Sequence, residues 1–219
     1  VAPGSDGVVT VDGEGSQWQV NYDEGFEIDT GLYSGVMVVG GYGEGLLTVG
    51  DGAEVTVDDV IFVGGYPPEE LEFDANAVGY EPDGVGTITV TGTDAALTAG
   101  GLQVGVFGQG TLNILSGGHV TTEDAVVGVG PDSIGTVLVD HAASTWENTE
   151  SMVVGAYGEG TMTVSGGGHV AVGEVLYIGG VDLNEFELDV SYEGDPNGTG
   201  TITVTGADSL VEAFAIGVG

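Results

Sequence analysis

The 219-residue sequence contains no lysine and no arginine, although 35 residues are acidic and the formal net charge is −35. A soluble domain is ordinarily about a quarter charged with both signs represented, so roughly two dozen basic side chains are missing. This excludes the basic surface needed to neutralise nucleic-acid phosphates or to dock on anionic lipid. It excludes a Schiff-base lysine, a P-loop lysine and an arginine clamp for anionic substrates, and it leaves no trypsin-type cleavage point. Cysteine is absent too, so there is no disulfide framework, thiol nucleophile or thiolate metal site. No apolar run approaches the 18 or so residues that span a bilayer, and Val1-Ala2-Pro3-Gly4 does not read as a signal peptide. No nucleic-acid partner and no membrane insertion are expected.

What is abundant is glycine, 44 residues, within a chain that is 41% hydrophobic. That share is enough to build a core, which argues against disorder in so acidic a sequence. A five-residue block occurs seven times, at 7–11, 45–49, 86–90, 110–114, 135–139, 160–164 and 200–204. The steps between block glycines are 38, 41, 24, 25, 25 and 40 residues, so the unit is 24–25 residues and three units carry insertions, at about 21–35, 66–83 and 181–197. The second block position is always apolar (Val9, Leu47, Ile88, Leu112, Val137, Met162, Ile202) and the fourth is always β-branched. Threonine dominates between them. This period-two alternation predicts a strand with one buried face.

A second strand follows each block, as at 117–120 and 167–170, and a third ends in an apolar pair plus glycine, as at 38–40, 62–64, 126–128 and 153–155. Three short strands and three glycine-rich corners per unit predict one all-β domain over 1–219: a right-handed parallel β-helix, or β-solenoid, of about seven turns. The turns alternate between two kinds. Trp18, Leu97, Trp146 and Val211 lie eleven residues after the block glycine, whereas Val55, Val120 and Val170 lie ten after it.

The pattern resembles the repeats of secreted bacterial surface proteins, the β-helical passengers of autotransporters and related large adhesins. Their turns read V-G-x-x-G-x-G-T-L-x-V-x-x-G-G-x-V, and residues 154–170 (VGAYGEGTMTVSGGGHV) follow that pattern almost throughout. The resemblance covers nearly the whole chain outside the insertions. It implies the solenoid fold and extracellular or cell-surface display, and no particular activity. The chain departs from those families in its lack of basic residues, and neither a translocator barrel nor a sorting tail is visible in it.

Chemistry is sparse. Each insertion holds one alternating apolar–acidic motif, at 26–29, 71–74 and 186–189, so that Glu27 and Asp29, Glu72 and Asp74, and Glu187 and Asp189 each point to one face of a strand. The insertions hold 16 of the 35 acids. Two readings stay open: solvated acidic faces, or oxygen ligands for Ca²⁺, the cation that suits hard carboxylate clusters. An acid–base pair for glycoside hydrolysis would need a cleft and a fixed carboxylate separation.

His119 and His169 fall in one repeat slot two turns apart with Ser144 between them, about 9.6 Å apart at 4.8 Å per turn, too far to share a metal. His141 stands at a corner beside Asp140. A Ser144–His119–Asp140 triad can be written down, but repeat slots account for these residues. Outward threonine pairs such as Thr161 and Thr163 resemble the flat arrays of β-helical ice-binding proteins, although Val8, Leu46, Asn113 and Leu138 interrupt the columns. Tyr42, Tyr66, Phe107 and Tyr157 follow the third strand at equivalent places, as a corner stack or a surface for sugar rings. Residues 197–199 fit a glycosylation sequon.

No polar cap is evident at either end, so head-to-tail self-association into an open filament is expected. The first and last turns are of the same kind, which breaks the alternation at such a joint. The expected function is a non-enzymatic structural segment of a surface fibre, with no catalytic residues. An adhesin or glycan-binding segment is the alternative, and a polysaccharide-active β-helix enzyme a further one.

Overall fold

The computed structural model describes residues 5–23, 34–66, 84–183 and 196–219. These residues are all-β, in parallel sheets compatible with a β-solenoid. The strands are β1 (Asp6–Val11), β2 (Gln17–Val20), β3 (Met37–Val39), β4 (Glu44–Val49), β5 (Glu54–Val63), β6 (Val85–Thr91), β7 (Ala96–Val104), β8 (Gln109–Leu115), β9 (His119–Val127), β10 (Ile134–Asp140), β11 (Thr145–Asn148), β12 (Met152–Val154), β13 (Glu159–Ser165), β14 (His169–Ile178), β15 (Thr199–Val204) and β16 (Leu210–Val218). Among the described residues no helix is long and apolar enough to cross a membrane.

The seven sequence blocks become the seven strands of one sheet, in the order β1-β4-β6-β8-β10-β13-β15. Register follows the blocks residue for residue: Gly7 pairs Gly45, Gly86 pairs Gly110, and Gly160 pairs Gly200. The inward side chains Leu47, Ile88, Leu112, Val137 and Met162 are at most 1% exposed. Facing them across the core, Trp18, Val55, Leu97, Val120, Trp146, Val170 and Val211 form one ladder in the second sheet. Each such side chain, fully buried, contributes about 1.5–3 kcal/mol.

The second and third strands of each unit, expected to be separate, belong to that one second sheet. They run on continuously as β5, β7, β9, β14 and β16, and are separate elements only in β2/β3 and β11/β12. The reason is that the bend between them is absorbed without loss of pairing. Register shifts by one residue between Val57 and Val60 and between Val172 and Val175, where two residues stand opposite one, and the inward columns then resume.

Glycine fixes the corners at both ends of the block. Gly128 follows the apolar pair with φ +74, and a Cβ there would collide with the Glu159 and Gly160 backbone. Gly135 opens the next block, and its Cβ would strike the Val104 carbonyl. Coils therefore stack closely here only because neither position carries a side chain.

Candidate functional site

The two kinds of turn have a simple structural basis in the corner after the block. In one kind five residues lie between the end of the five-residue block and the start of the next strand, as at 12–16, 91–95, 140–144 and 205–209; in the other there are four. The five-residue corner needs positive φ at its second position: Gly13 (+94), Gly92 (+101), His141 (+94) and Gly206 (+89). A serine closes three of these corners from the fifth position. Ser16, Ser144 and Ser209 each donate from Oγ to the carbonyl of the corner's first residue, all at 2.7 Å.

This disposes of the written-down triad. Ser144 Oγ donates to the Asp140 carbonyl and accepts from Gly117 N at 3.1 Å, a buried turn staple. The Asp140 carboxylate accepts from Ser165 Oγ at 2.6 Å. His119 lies elsewhere, with Nδ1 2.8 Å from Thr145 Oγ1. The residue between His119 and His169 is Thr145, which pairs with both, and not Ser144 as expected; the five-residue corner displaces the serine into the turn. His169 Nε2 lies 3.0 Å from Glu212 Oε1 on the outermost strand β16. His141 sits exposed in the corner, its Nδ1 accepting from Ala143 N at 3.5 Å.

Inside the coil, one polar network interrupts the apolar core. Trp146 Nε1 donates to Thr122 Oγ1 at 3.0 Å, Thr122 Oγ1 donates to Asn148 Oδ1 at 2.8 Å, and Asn148 Nδ2 donates to the Ser151 carbonyl at 2.9 Å. All three side chains are 1% exposed. Each donor and acceptor is answered, which is the condition under which a buried polar network is tolerated. The sequence repeat marks Trp146 as equivalent to Trp18, Leu97 and Val211 but carries no signal for Asn148, because one asparagine in an apolar column is visible only once the register is known.

Directly outside this network, at the bend of the second sheet, lie Glu123, Asp124, Glu150 and Glu174. Burial holds the Asp124 carboxyl above its ordinary value, and Glu174 and Glu123 add to this, while Ser151 N donates to it at 3.2 Å and opposes the rise. Glu150 is raised mainly by Asp124, then by burial and by Glu174. Ser151 Oγ donates to Glu174 Oε2 at 3.4 Å. Even so, no group of three or more His, Cys, Asp or Glu placed to hold a metal ion occurs among the described residues. The carboxylates singled out as Ca²⁺ ligands, Glu27, Asp29, Glu72, Asp74, Glu187 and Asp189, lie outside the described residues.

Of the four corner aromatics, Tyr66, Phe107 and Tyr157 enter a second apolar cluster, on the outer side of the second sheet, with Phe62, Val126 and Val153. Phe62 and Tyr66 meet edge to face, with centroids 5.6 Å apart. Tyr157 is 5% exposed and donates to Asp182 Oδ1 at 3.1 Å; burial, aided by that carboxylate, pushes its hydroxyl up to about 12. Tyr42 remains 37% exposed.

The outermost coils differ from the rest. Inward positions that are closed elsewhere stand open there: Val9 is 39% exposed, Val204 47%, Ile216 59% and Val218 79%. A recess of about 640 Å³ opens beside Val9, Trp18, Met37 and Leu47. Strands β1 and β15 form the two edges of the seven-stranded sheet.

Against known proteins, the chain is 34% identical over 232 aligned residues to the uncharacterized lipoprotein YdeK of Escherichia coli (strain K12). The alignment covers 99% of this chain and 14% of that protein, so the chain spans about a seventh of its relative's length. No protein family and no solved structure matches.

Proposed function

We propose that the chain is a non-enzymatic structural segment of an extracellular or cell-surface fibre, built as a right-handed parallel β-helix of seven 24–25-residue turns that extends by strand pairing at its open ends. Right-handedness is the hand of about 98% of strand–crossover–strand connections within one sheet. The observation that supports the reading is the residue-for-residue register that carries each inward column from one coil to the next. If β1 of a second copy is laid on β15 in the internal register, Val9 and Val11 meet Ile202 and Val204, and Trp18 meets Val211. Every inward column then continues with an apolar residue, and unpaired edge backbone is paired. The relative's description as a lipoprotein and the resemblance to autotransporter passengers both support surface display. The acidic insertions would then project from the fibre, where Ca²⁺ could bridge their carboxylates between neighbours.

The test is the mass and length of particles as concentration rises, by light scattering and negative-stain electron microscopy. Rods longer than one 21.9 kDa chain are expected, and Ile216→Asp/Val218→Asp, at positions already open to solvent, should stop their growth. Single-chain particles at every concentration would refute end-to-end assembly. Melting that ignores chelator would remove Ca²⁺ from the scheme. A second reading, an adhesin or glycan-binding segment, is favoured by the exposed rings of Tyr22 and Tyr42; binding on a glycan array, abolished by Tyr22→Ala/Tyr42→Ala, would select it.

A further inference from the structure

The outward face of the seven-stranded sheet is unlike the rest of the molecule. Its two central columns contain no charged residue in a chain of net charge −35. In one column Thr87, Thr111, Thr136, Thr161 and Thr201 follow one another on five successive strands. The other has threonine on β1, β4, β6, β13 and β15, with Asn113 and Leu138 between. Exposed apolar side chains join this face: Val8 (70%), Leu46 (38%), Val85 (37%) and Ile134 (42%). Acids stand only at its margins, Asp6, Glu44 and Glu159 along one and Asp12 and Asp140 along the other. By contrast the outward columns of β5, β11 and β16 carry Glu54, Glu147 and Glu212.

We propose that this threonine face is a lateral docking surface for a second copy of the same chain, packed sheet against sheet. Three considerations select that partner. Two chains of charge −35 repel wherever acids face each other, and this face is where they can approach without burying unpaired carboxylates. A second copy presents the same spacing of about 4.8 Å between strands, so columns remain in step over the whole height. Seven strands at that spacing, each about six residues wide, offer roughly 600 Å² per copy or about 1,200 Å² in all, the lower bound for a stable specific interface. An uncharged centre with a polar rim is also the anatomy of such an interface. The contact is isologous, with the central strand β8 and Thr111 near the two-fold axis. It uses a different surface from end-to-end growth, and either can fail without the other.

The experiment exploits the missing residue types. Because the chain has neither cysteine nor lysine, Thr111→Cys provides the single site for a short bis-maleimide spacer. In the end-blocked Ile216→Asp/Val218→Asp background, cross-linked dimer is expected at least about tenfold faster than for Thr121→Cys on the other sheet, whose encounters are unguided. Sedimentation of the same background without cysteine should show dimer, and Thr111→Asp/Thr136→Asp should return it to monomer while its circular dichroism stays unchanged. Equal cross-linking at the two cysteines, or a monomer throughout, would overturn the proposal. So would thermal hysteresis of freezing without dimerisation, which would assign the ladder to an ice lattice.

Discussion

At position 141 the chain holds a histidine where its sister corners hold Gly13, Gly92 and Gly206, and it adopts the same positive φ as they do. A side chain in that region costs of order 1–3 kcal/mol, while the imidazole returns only a long contact, 3.5 Å from Ala143 N. The glycine that would relieve it adds back about 0.4–1 kcal/mol of unfolded-state entropy. His141→Gly is therefore expected to stabilise the fold by about 1 kcal/mol, a rise in Tm of about 2–4 °C for a chain of this size. A thermal melt checks this, and a lower Tm would show that the ring contributes more than its geometry indicates. Ser144 carries the same lesson from the opposite side. It was legible as a candidate nucleophile from residue type alone, and only the corner geometry shows that it does what Ser16 and Ser209 do.

The bend in the second sheet is where charge and folding oppose each other. Asp124 and Glu150 hold their protons more tightly folded than unfolded, because burial and neighbouring carboxylates disfavour the ionised forms. Below the unfolded values of about 3.9–4.3 both are protonated and the bend is unstrained. As pH climbs through the raised folded values they ionise against one another, and stability falls. The expected outcome is a wild-type Tm that declines as pH rises above about 4, with a shallower decline for Asp124→Asn, which keeps an acceptor for Ser151 N. At pH 4 the two proteins should melt alike; an equal gap at every pH would mean that the substitution acts through packing instead. The sequence made the seven block strands and the two kinds of turn legible, since β-branched residues at Val49, Val90 or Val139 admit one inward face. It did not show that second and third strands fuse across this bend. A bulge at Asp58 and Asp59 or at Gly173 and Glu174 looks, in one dimension, like the end of a strand.

For the whole molecule the decisive quantity is the charge of −35 with no basic partner. His169 and Glu212 stand in ion-pair geometry, and the pair exists as such only when the imidazole is protonated. Stacked coils hold the acids at fixed separations, whereas unfolding lets them spread, so self-repulsion must weaken the folded state. Salt should relieve it without any specific site. Between 0.01 M and 0.1 M the screening length falls from about 30 Å to about 10 Å, from the span of the whole stack to that of two coils. Tm is therefore expected to rise over this range by about 4–8 °C, the equivalent of roughly 2 kcal/mol, and equally in sodium and potassium chloride. Calorimetry across that range is the check. A rise confined to molar salt would indicate salting-out of apolar surface instead, and a response to millimolar Ca²⁺ at constant ionic strength would place the relief at bound cations. Because the threonine face carries no charge in its two central columns, the salt that stabilises one chain should also promote its assembly.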